Sequence, residues 1–305
     1  MRGRISAVVC LVLAALFWAI GGVSWKIFGE MGFAFIFVFW LSRIFKFLAV
    51  LFASYCRVRA HEPVRNRREM AIIFINALFS LTTPFFFVLA LAYTKISNAY
   101  FLQFTMSAWV LVFAVLFLGE KASPRKALGM LLVICGISLI ARPEDVLSFS
   151  PGVLFGVLSA LSYAGDIITA RELKGYSYHT VAVYSNGMQF LIATVALPFF
   201  VPALPWPEVS PIGLLGIVAF GIMLGVASDL YYHALHTLQA STAAIIAHLE
   251  LLFGSSLAFL LFSEVPTGLE MAGYALITAA SFVIILRGPP QLPHFERLLH
   301  LADKQ

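Results

Sequence analysis

Two cations lie in the middle of an apolar segment near the start of the chain. In FWLSRIFKF, residues 39–47, Arg43 and Lys46 are surrounded by Phe, Trp, Leu and Ile. A spacing of three residues places both side chains on roughly one face of a helix. A guanidinium in such a place can engage a carboxylate, either of a substrate or of the protein itself.

The carboxylates inside apolar segments all come from the second half of the chain, at Asp166, Asp229 and Glu250. Such groups cost roughly 2.5–3.5 kcal/mol each on insertion scales, so we expect them to face the interior of a helix bundle. Either they pair with the cations, or the two sets form opposite walls of a cavity suited to a zwitterion. In the second case Arg43 would engage the carboxylate and Glu250 or Asp166 the amino group. The same three carboxylates are candidates for proton coupling.

Polar and aromatic stripes on other segments extend this expected cavity. Aromatic rings could stack on a flat substrate or hold an ammonium group by cation–π attraction. The same residue types also join helices in membranes, which is the alternative interpretation, and Lys46 could instead extend towards the membrane surface. The further candidate substrate-binding residues are Trp18, Trp40, Tyr100, Gln103, Tyr163, Asn186 and Gln189. His248 is expected to be a hydrogen-bonded histidine between helices.

The elements that position these residues are predicted to be membrane-spanning helices. Of the 305 residues, 61% are hydrophobic and 11% are charged, whereas soluble domains carry about 25% charged residues. No nucleotide-binding loop, metal motif or nucleophile elbow is present, so we expect no cofactor, no metal and no enzymatic activity. Cys10, Cys56 and Cys135 are far apart and form no disulfide pattern. Basic residues cluster in short loops, which favours a membrane over nucleic acid as the partner.

Charged, Pro and Gly clusters divide the chain into ten predicted spans. Fifteen of the twenty Lys and Arg residues lie at one set of span ends and three at the other. This bias places both termini in the cytoplasm of a multi-pass protein of the plasma (inner) membrane. The spans are 5–27, 32–56, 70–93, 96–118, 124–141, 151–171, 177–201, 211–236, 241–262 and 267–287.

The two halves of the chain partly repeat each other. With a shift of 144 residues, LFLGEKASPRK falls on LLFSEVPTGLE, so Glu120 meets Glu264. Five helices per copy require the second copy to be inverted in the membrane, and inverted repeats enclose a site near the midplane. The prediction is an all-α membrane protein whose first repeat spans residues 1–145, whose inverted second repeat spans 146–287, and whose cytoplasmic tail spans 288–305.

These features resemble the drug/metabolite transporter superfamily, in its ten-helix EamA type. The resemblance rests on LFWAIGGVSWKIF (16–28), on Arg43, on ALAYTKISNAYFL (90–102), on HALHTLQASTAAI (233–245) and on the Glu120 and Glu264 endings. It implies export or exchange of small metabolites. Members often have a proline midway along helices 4 and 9, where this chain has Ser107 and Leu251.

We therefore expect a secondary-active transporter that exports or exchanges a zwitterionic, amino-acid-like metabolite as a monomer or weak homodimer. Three alternatives stay open: an importer or antiporter of a nucleotide-derived cofactor such as S-adenosylmethionine, a multidrug exporter, and, in a different class, an intramembrane enzyme acting on lipid-linked groups.

Overall fold

The computed structural model describes residues 2–57, 63–94, 96–121, 123–140, 150–200, 210–263 and 265–285, and these residues form helices and short connections without any strand. The helices are α1 (Arg2–Glu30), α2 (Phe35–Arg57), α3 (Arg67–Tyr93), α4 (Ile96–Phe104), α5 (Met106–Leu118), α6 (Pro124–Ile140), α7 (Pro151–Glu172), α8 (Tyr178–Phe200), α9 (Pro211–Thr237), α10 (Ala240–Ala247), α11 (Leu249–Phe262) and α12 (Gly268–Ile285).

Seven stretches of helix in the described residues are long and apolar enough to cross a membrane, and two shorter ones, Leu102–Leu118 and Gly268–Val283, are also apolar. Many large apolar side chains point outwards, such as Phe199, which is 82% exposed, and Ile212, which is 81% exposed. Lipid is the solvent that suits such a surface. The prediction of an all-helical, multi-pass membrane protein is confirmed, while the count of ten spans and the orientation stay predictions.

Several helices begin where the sequence supplies a cap for free backbone N–H groups. The Asn66 side chain accepts from the Glu69 N–H at 2.9 Å before α3. Ser210 does the same for the Gly213 N–H at 3.0 Å, and the following Pro211 has no N–H to satisfy. These caps fix the starts of helices that carry buried polar residues.

Two of the predicted spans are each broken into two helices at corresponding places. Between α4 and α5, the Thr105 N–H donates to Leu102 O at 3.2 Å, a tighter turn than an α-helix makes. Between α10 and α11, the His248 N–H donates to Ile245 O at 3.3 Å in the same way. Neither break contains a proline. The sequence predicted one span over 96–118 and one over 241–262 and did not decide whether they are kinked; the structure shows that both are broken.

Helices of the first half pack mainly against helices of the second half: α3 against α7, α2 and α1 against α9, and α1 against α11. Glycines permit the close approach of α2 and α9, because a Cβ atom on Gly221 would lie 2.7 Å from Ser42 O and one on Gly225 would lie 2.8 Å from Lys46 O. The backbone that carries Arg43 and Lys46 is thus held tightly against α9.

Candidate functional site

Arg43 and Lys46 on α2 are turned into the helix bundle and not towards lipid, with exposed fractions of 5% and 7%. The Arg43 guanidinium lies 4.6 Å from the centroid of the Phe39 ring. Its Nε has no hydrogen-bond partner in the described part of the chain. The Lys46 ammonium donates one hydrogen bond, to Gln189 Oε1 at 3.0 Å. Both cations therefore keep hydrogen-bond donors that no described residue accepts from.

Asp166 on α7 is bound by neighbouring side chains at both of its oxygens. Asn76 Nδ2 donates to Oδ1 at 2.8 Å, and the Tyr231 hydroxyl donates to Oδ2 at 2.9 Å. Asn76 Oδ1 in turn accepts from Ser185 at 2.7 Å and from Tyr232 at 2.8 Å. This central network joins α3, α7, α8 and α9, and it leaves Asp166 well satisfied.

A chain of polar contacts connects Lys46 to this network. Gln189 receives the Lys46 bond and donates to Ser185 at 3.4 Å. Lys46 and Asp166 also attract each other electrostatically without direct contact. The structure thus places the predicted residues Lys46, Gln189 and Asp166 in one buried polar layer.

Glu250 differs from Asp166, because it has no ion pair and no hydrogen bond to any described residue. It lies in the first turn of α11, directly after the break at His248. The free N–H groups at a helix start favour a negative charge there. Its electrostatic neighbours are the hydroxyl groups of Tyr100 and Tyr163. Glu250 is also only partly buried.

Arg43 and Glu250 come from opposite halves of the chain. They lie on α2 and α11, and α1 packs against both helices.

Several aromatic rings pack beside α1. The Trp18 ring on α1 makes edge contacts with Tyr231 at 5.2 Å and with Tyr163 at 6.2 Å between centroids. The Tyr100 ring stacks on Phe104, and its hydroxyl would be 2.9 Å from a Cβ atom on Gly22. Trp18, Tyr100 and Tyr163 thus approach one another around α1.

Three predicted site residues are engaged elsewhere in helix–helix contacts. Gln103 donates to Ser159 at 3.1 Å, and Asn186 donates to Ser228 at 2.9 Å. The Trp40 indole N–H donates to Thr194 at 3.2 Å, in an exposed contact between α2 and α8. These bonds match the alternative interpretation, in which such side chains join helices.

Asp229 belongs to a separate cluster close to the ends of α2 and α8. Its Oδ2 lies 2.5 Å from Arg57 Nη1, and its Oδ1 lies 3.4 Å from His179 Nδ1. Arg57 is the last residue of α2 and His179 the second residue of α8. This cluster ties the two halves together outside the central polar layer.

His248 joins the two helix breaks. Its Nδ1 lies 2.7 Å from Ala244 O, and its Nε2 lies 3.0 Å from Phe104 O, where α4 ends. The ring is completely buried. The structure therefore agrees with the expected hydrogen-bonded histidine between helices.

Sequence reasoning did not single out four residues of the central network as site residues: Asn76, Ser185, Tyr231 and Tyr232. The spacing of Asn76, Ser80 and Thr83 on α3 was the available signal.

The profile of the EamA-like transporter family matches residues 5–142 and again residues 150–286. The chain belongs to the EamA-like transporter family. This membership confirms that it is a membrane transporter and not an enzyme. No group of His, Cys, Asp and Glu side chains in the described residues could hold a metal ion.

Curated relatives include transporters with known cargo. The pseudopaline exporter CntI of Pseudomonas aeruginosa is 28% identical over 238 residues, which cover 75% of this chain and 80% of the relative. The S-adenosylmethionine uptake transporter of Rickettsia felis is 26% identical over 64% of this chain and 65% of that protein. A solved crystal structure with 18% identity superposes with a TM-score of 0.75 over 93% of this chain and 97% of its own, which shows the shared fold.

Proposed function

We propose that this EamA-like transporter moves a small zwitterionic metabolite across the plasma membrane by alternating access, as an exporter or exchanger. The observation that carries this proposal is a pair of charges without an ion-pair partner among the described residues, Arg43 from the first half and Glu250 from the second. A substrate that bears a carboxylate and a cationic group would provide an opposite charge for each of these two residues.

The energetics favour a ligand role for Arg43. A buried charge without a partner is costly, and a protein that needed only stability would pair it or replace it by an apolar residue. The oxygens of Asp166 accept hydrogen bonds from Asn76 and Tyr231, and no ion pair joins Asp166 to Arg43 in the described residues. A substrate carboxylate would provide the acceptors that the guanidinium lacks, and Glu250 would receive the amino group.

The proposal includes two inverted five-helix repeats with ten spans and a site between them. The double match to one family profile and the corresponding breaks before Met106 and Leu249 support this arrangement. The Lys and Arg bias places both termini in the cytoplasm. With that orientation, the Arg57–Asp229 pair joins the two halves on the cytoplasmic side.

S-adenosylmethionine is the second candidate substrate, as an imported or exchanged cofactor. It carries a carboxylate, an ammonium and a sulfonium, together with an adenine ring that could stack on Trp18. Because the Rickettsia felis relative is named as an S-adenosylmethionine uptake transporter, S-adenosylmethionine is included among the substrates to be tested.

The test is transport by purified protein in liposomes, with and without Arg43. Isotope-labelled amino acids, ω-amino acids and S-adenosylmethionine are offered outside preloaded vesicles, and entry is measured by mass spectrometry. We expect accelerated exchange of at least one zwitterion, reduced at least 100-fold by Arg43→Gln, because a buried charged contact contributes about 3 kcal/mol or more. Lys26→Gln removes an exposed cation and is the matched control. Undiminished exchange in Arg43→Gln would refute the role.

A further inference from the structure

The carboxylate of Asp229 on α9 has different neighbours at its two oxygens. Its Oδ2 accepts from Arg57 Nη1 of α2 at 2.5 Å, whereas its Oδ1 lies 3.4 Å from His179 Nδ1 of α8. Arg57 belongs to the first half of the chain, and His179 and Asp229 belong to the second. One oxygen therefore joins the two halves, while the other faces a titratable group of its own half.

Burial separates the members of this cluster. The side chains of Asp229 and His179 are 8% and 9% exposed, whereas that of Arg57 is 55% exposed. Asp229 Oδ1 is buried and accepts no hydrogen bond from any described residue. A proton on the facing imidazole would give this oxygen a charge-assisted donor. Imidazole is also the side chain that ordinarily changes its charge between pH 5 and pH 8.

The Tyr178 ring lies beside the His179 ring, at 3.9 Å between centroids, and beside the His233 ring, at 4.7 Å. The Tyr178 hydroxyl also interacts with Arg57. The charged and titratable groups on the elements around His179 are Arg57 of α2, Asp229 and His233 of α9, Tyr178 of α8, Cys10 of α1, which interacts with Tyr178, and Glu69 of α3, which bonds to Tyr176 just before α8.

The middle and the end of α2 are held to α9 in different ways. In the middle, the close backbone approach at Gly221 and Gly225 fixes α2 around Ser42 and Lys46. Beyond these two contacts, Arg57 ties the last turn of α2 to Asp229. Water competes for a guanidinium that is more than half exposed, and exposed ion pairs contribute little stability. Such a bond can form and break in every transport cycle.

We propose that Arg57, Asp229 and His179 form a proton-controlled latch, in which a proton on His179 releases the end of α2 from α9. When the latch opens, Arg57 leaves, while His179 stays beside Asp229 because both belong to the second half. A protonated His179 attracts Asp229 in both states but repels Arg57 only in the closed state. Proton binding therefore favours the open state, and opening favours proton binding to the same extent. This inference rests on the alternating access of the proposed function and not on the identity of the substrate.

A distance measured across the latch tests it. Spin labels are attached to the native Cys56, which is exposed beside Arg57, and to Thr237→Cys at the exposed end of α9, in protein in liposomes. Cys10→Ala and Cys135→Ala remove the other thiols. Double electron–electron resonance between pH 8 and pH 5.5 should show a longer-distance population that grows roughly fivefold on acidification, with its midpoint between about pH 6 and pH 7.5.

Two histidine variants separate His179 from the other groups that titrate in this range. We expect His179→Gln to keep the short distance at every pH, because no proton can be bound beside Asp229. His236→Gln removes an exposed histidine in the last turn of α9 and is the matched control, which should keep the wild-type response. A pH response that survives in His179→Gln, or a wild type without any response, would overturn the latch.

Arg57→Gln keeps the test decisive should His179→Gln not fold, since the Arg57 side chain is largely exposed. This variant should show the longer distance at every pH, and an undiminished pH response in it would overturn the proposal as well. Zwitterion exchange in the same liposomes distinguishes the two proposals. If exchange depends on Arg43 but the distances do not respond to pH, only the latch fails. If the distances respond and exchange of every substrate is indifferent to Arg43→Gln, the proposed substrate site fails and the latch stands.

Discussion

Asn76 is the residue on which the buried hydrogen bonds of the central layer converge. It donates to Asp166 and Thr169 and accepts from Ser185 and Tyr232. Its own burial is complete. Because it bridges three other helices from α3, it holds the walls of the candidate site at fixed positions without needing to touch substrate.

Asn76→Ala should therefore lower the stability of the protein more than the loss of a few side-chain atoms alone would suggest. The change removes the acceptor of Ser185 and Tyr232 and a donor to Asp166, and leaving buried polar groups unsatisfied costs about 1–3 kcal/mol each. We expect the melting temperature in detergent to fall by roughly 5–10 °C. Ser138→Ala is the control, since the Ser138 hydroxyl is exposed and donates to Ile134 O of its own helix. Equal melting temperatures for both variants would contradict this role of Asn76.

At the residue scale, the sequence predicted which polar side chains are buried. It predicted the hydrogen-bond partners of these side chains much less well. Arg43 and Lys46 face inwards, as the cost of a charge in lipid requires. The partners of Asp166 depend on the rotation of α3 and α9 about their axes, which the polar stripes indicate only to within a neighbouring position. For this reason the Asp166 network and the engagement of Trp40 with Thr194 became visible only in the structure.

At the scale of elements, the connection between α5 and α6 holds the start of α10. Glu120 Oε1 accepts from the Ala240 N–H at 2.7 Å, and its Oε2 accepts from Ser241 at 2.6 Å and from Lys126 at 3.0 Å. A first-half carboxylate thus caps a second-half helix. Burial raises the pKa of Glu120, but the hydrogen bond from Ser241 and the charge and hydrogen bond of Lys126 outweigh it, so the pKa lies below its ordinary value.

This cap should make stability depend on pH. Because the pKa of Glu120 is lower in the folded protein than in the unfolded chain, its contribution is complete above the ordinary value of 4.5 and is lost as the pH falls below it. We expect Glu120→Gln to lower the melting temperature at pH 7 and to flatten its decline between about pH 5 and pH 3. Glu270→Gln, at a carboxylate that caps its own helix at Thr267, is the control. An unchanged acid decline in Glu120→Gln would contradict this assignment.

The broken helices show a limit of sequence reasoning about elements. A proline is the usual sequence signal of a break inside a helix, and neither Thr105 nor His248 is followed by one. The break at His248 is instead held by a side chain that reaches the carbonyl groups of Ala244 and Phe104. That bond crosses between the two halves, so nothing within the single segment 241–262 could have predicted it.

At the scale of the whole molecule, unmatched charges of opposite sign come from opposite halves. The halves are joined at one end by Arg57–Asp229 and Glu120–Ser241 and in the centre by the Asp166 network. Composition was sufficient to predict a membrane protein, whereas the two inverted copies, which the weak repeat of Glu120 at Glu264 indicates, stay a prediction. The contacts between the copies required coordinates.

The most direct test of the central claim compares one exchanged zwitterion with its carboxamide, in which the negative charge is removed and the shape is kept. Binding of both is measured by thermal shift in the wild type, in Arg43→Gln and in Glu250→Gln. We predict that the wild type and Glu250→Gln prefer the zwitterion to the carboxamide by about tenfold or more, and that Arg43→Gln binds the two equally. A preference for the carboxylate that survives in Arg43→Gln would show that another group binds the anion, and would contradict the claim.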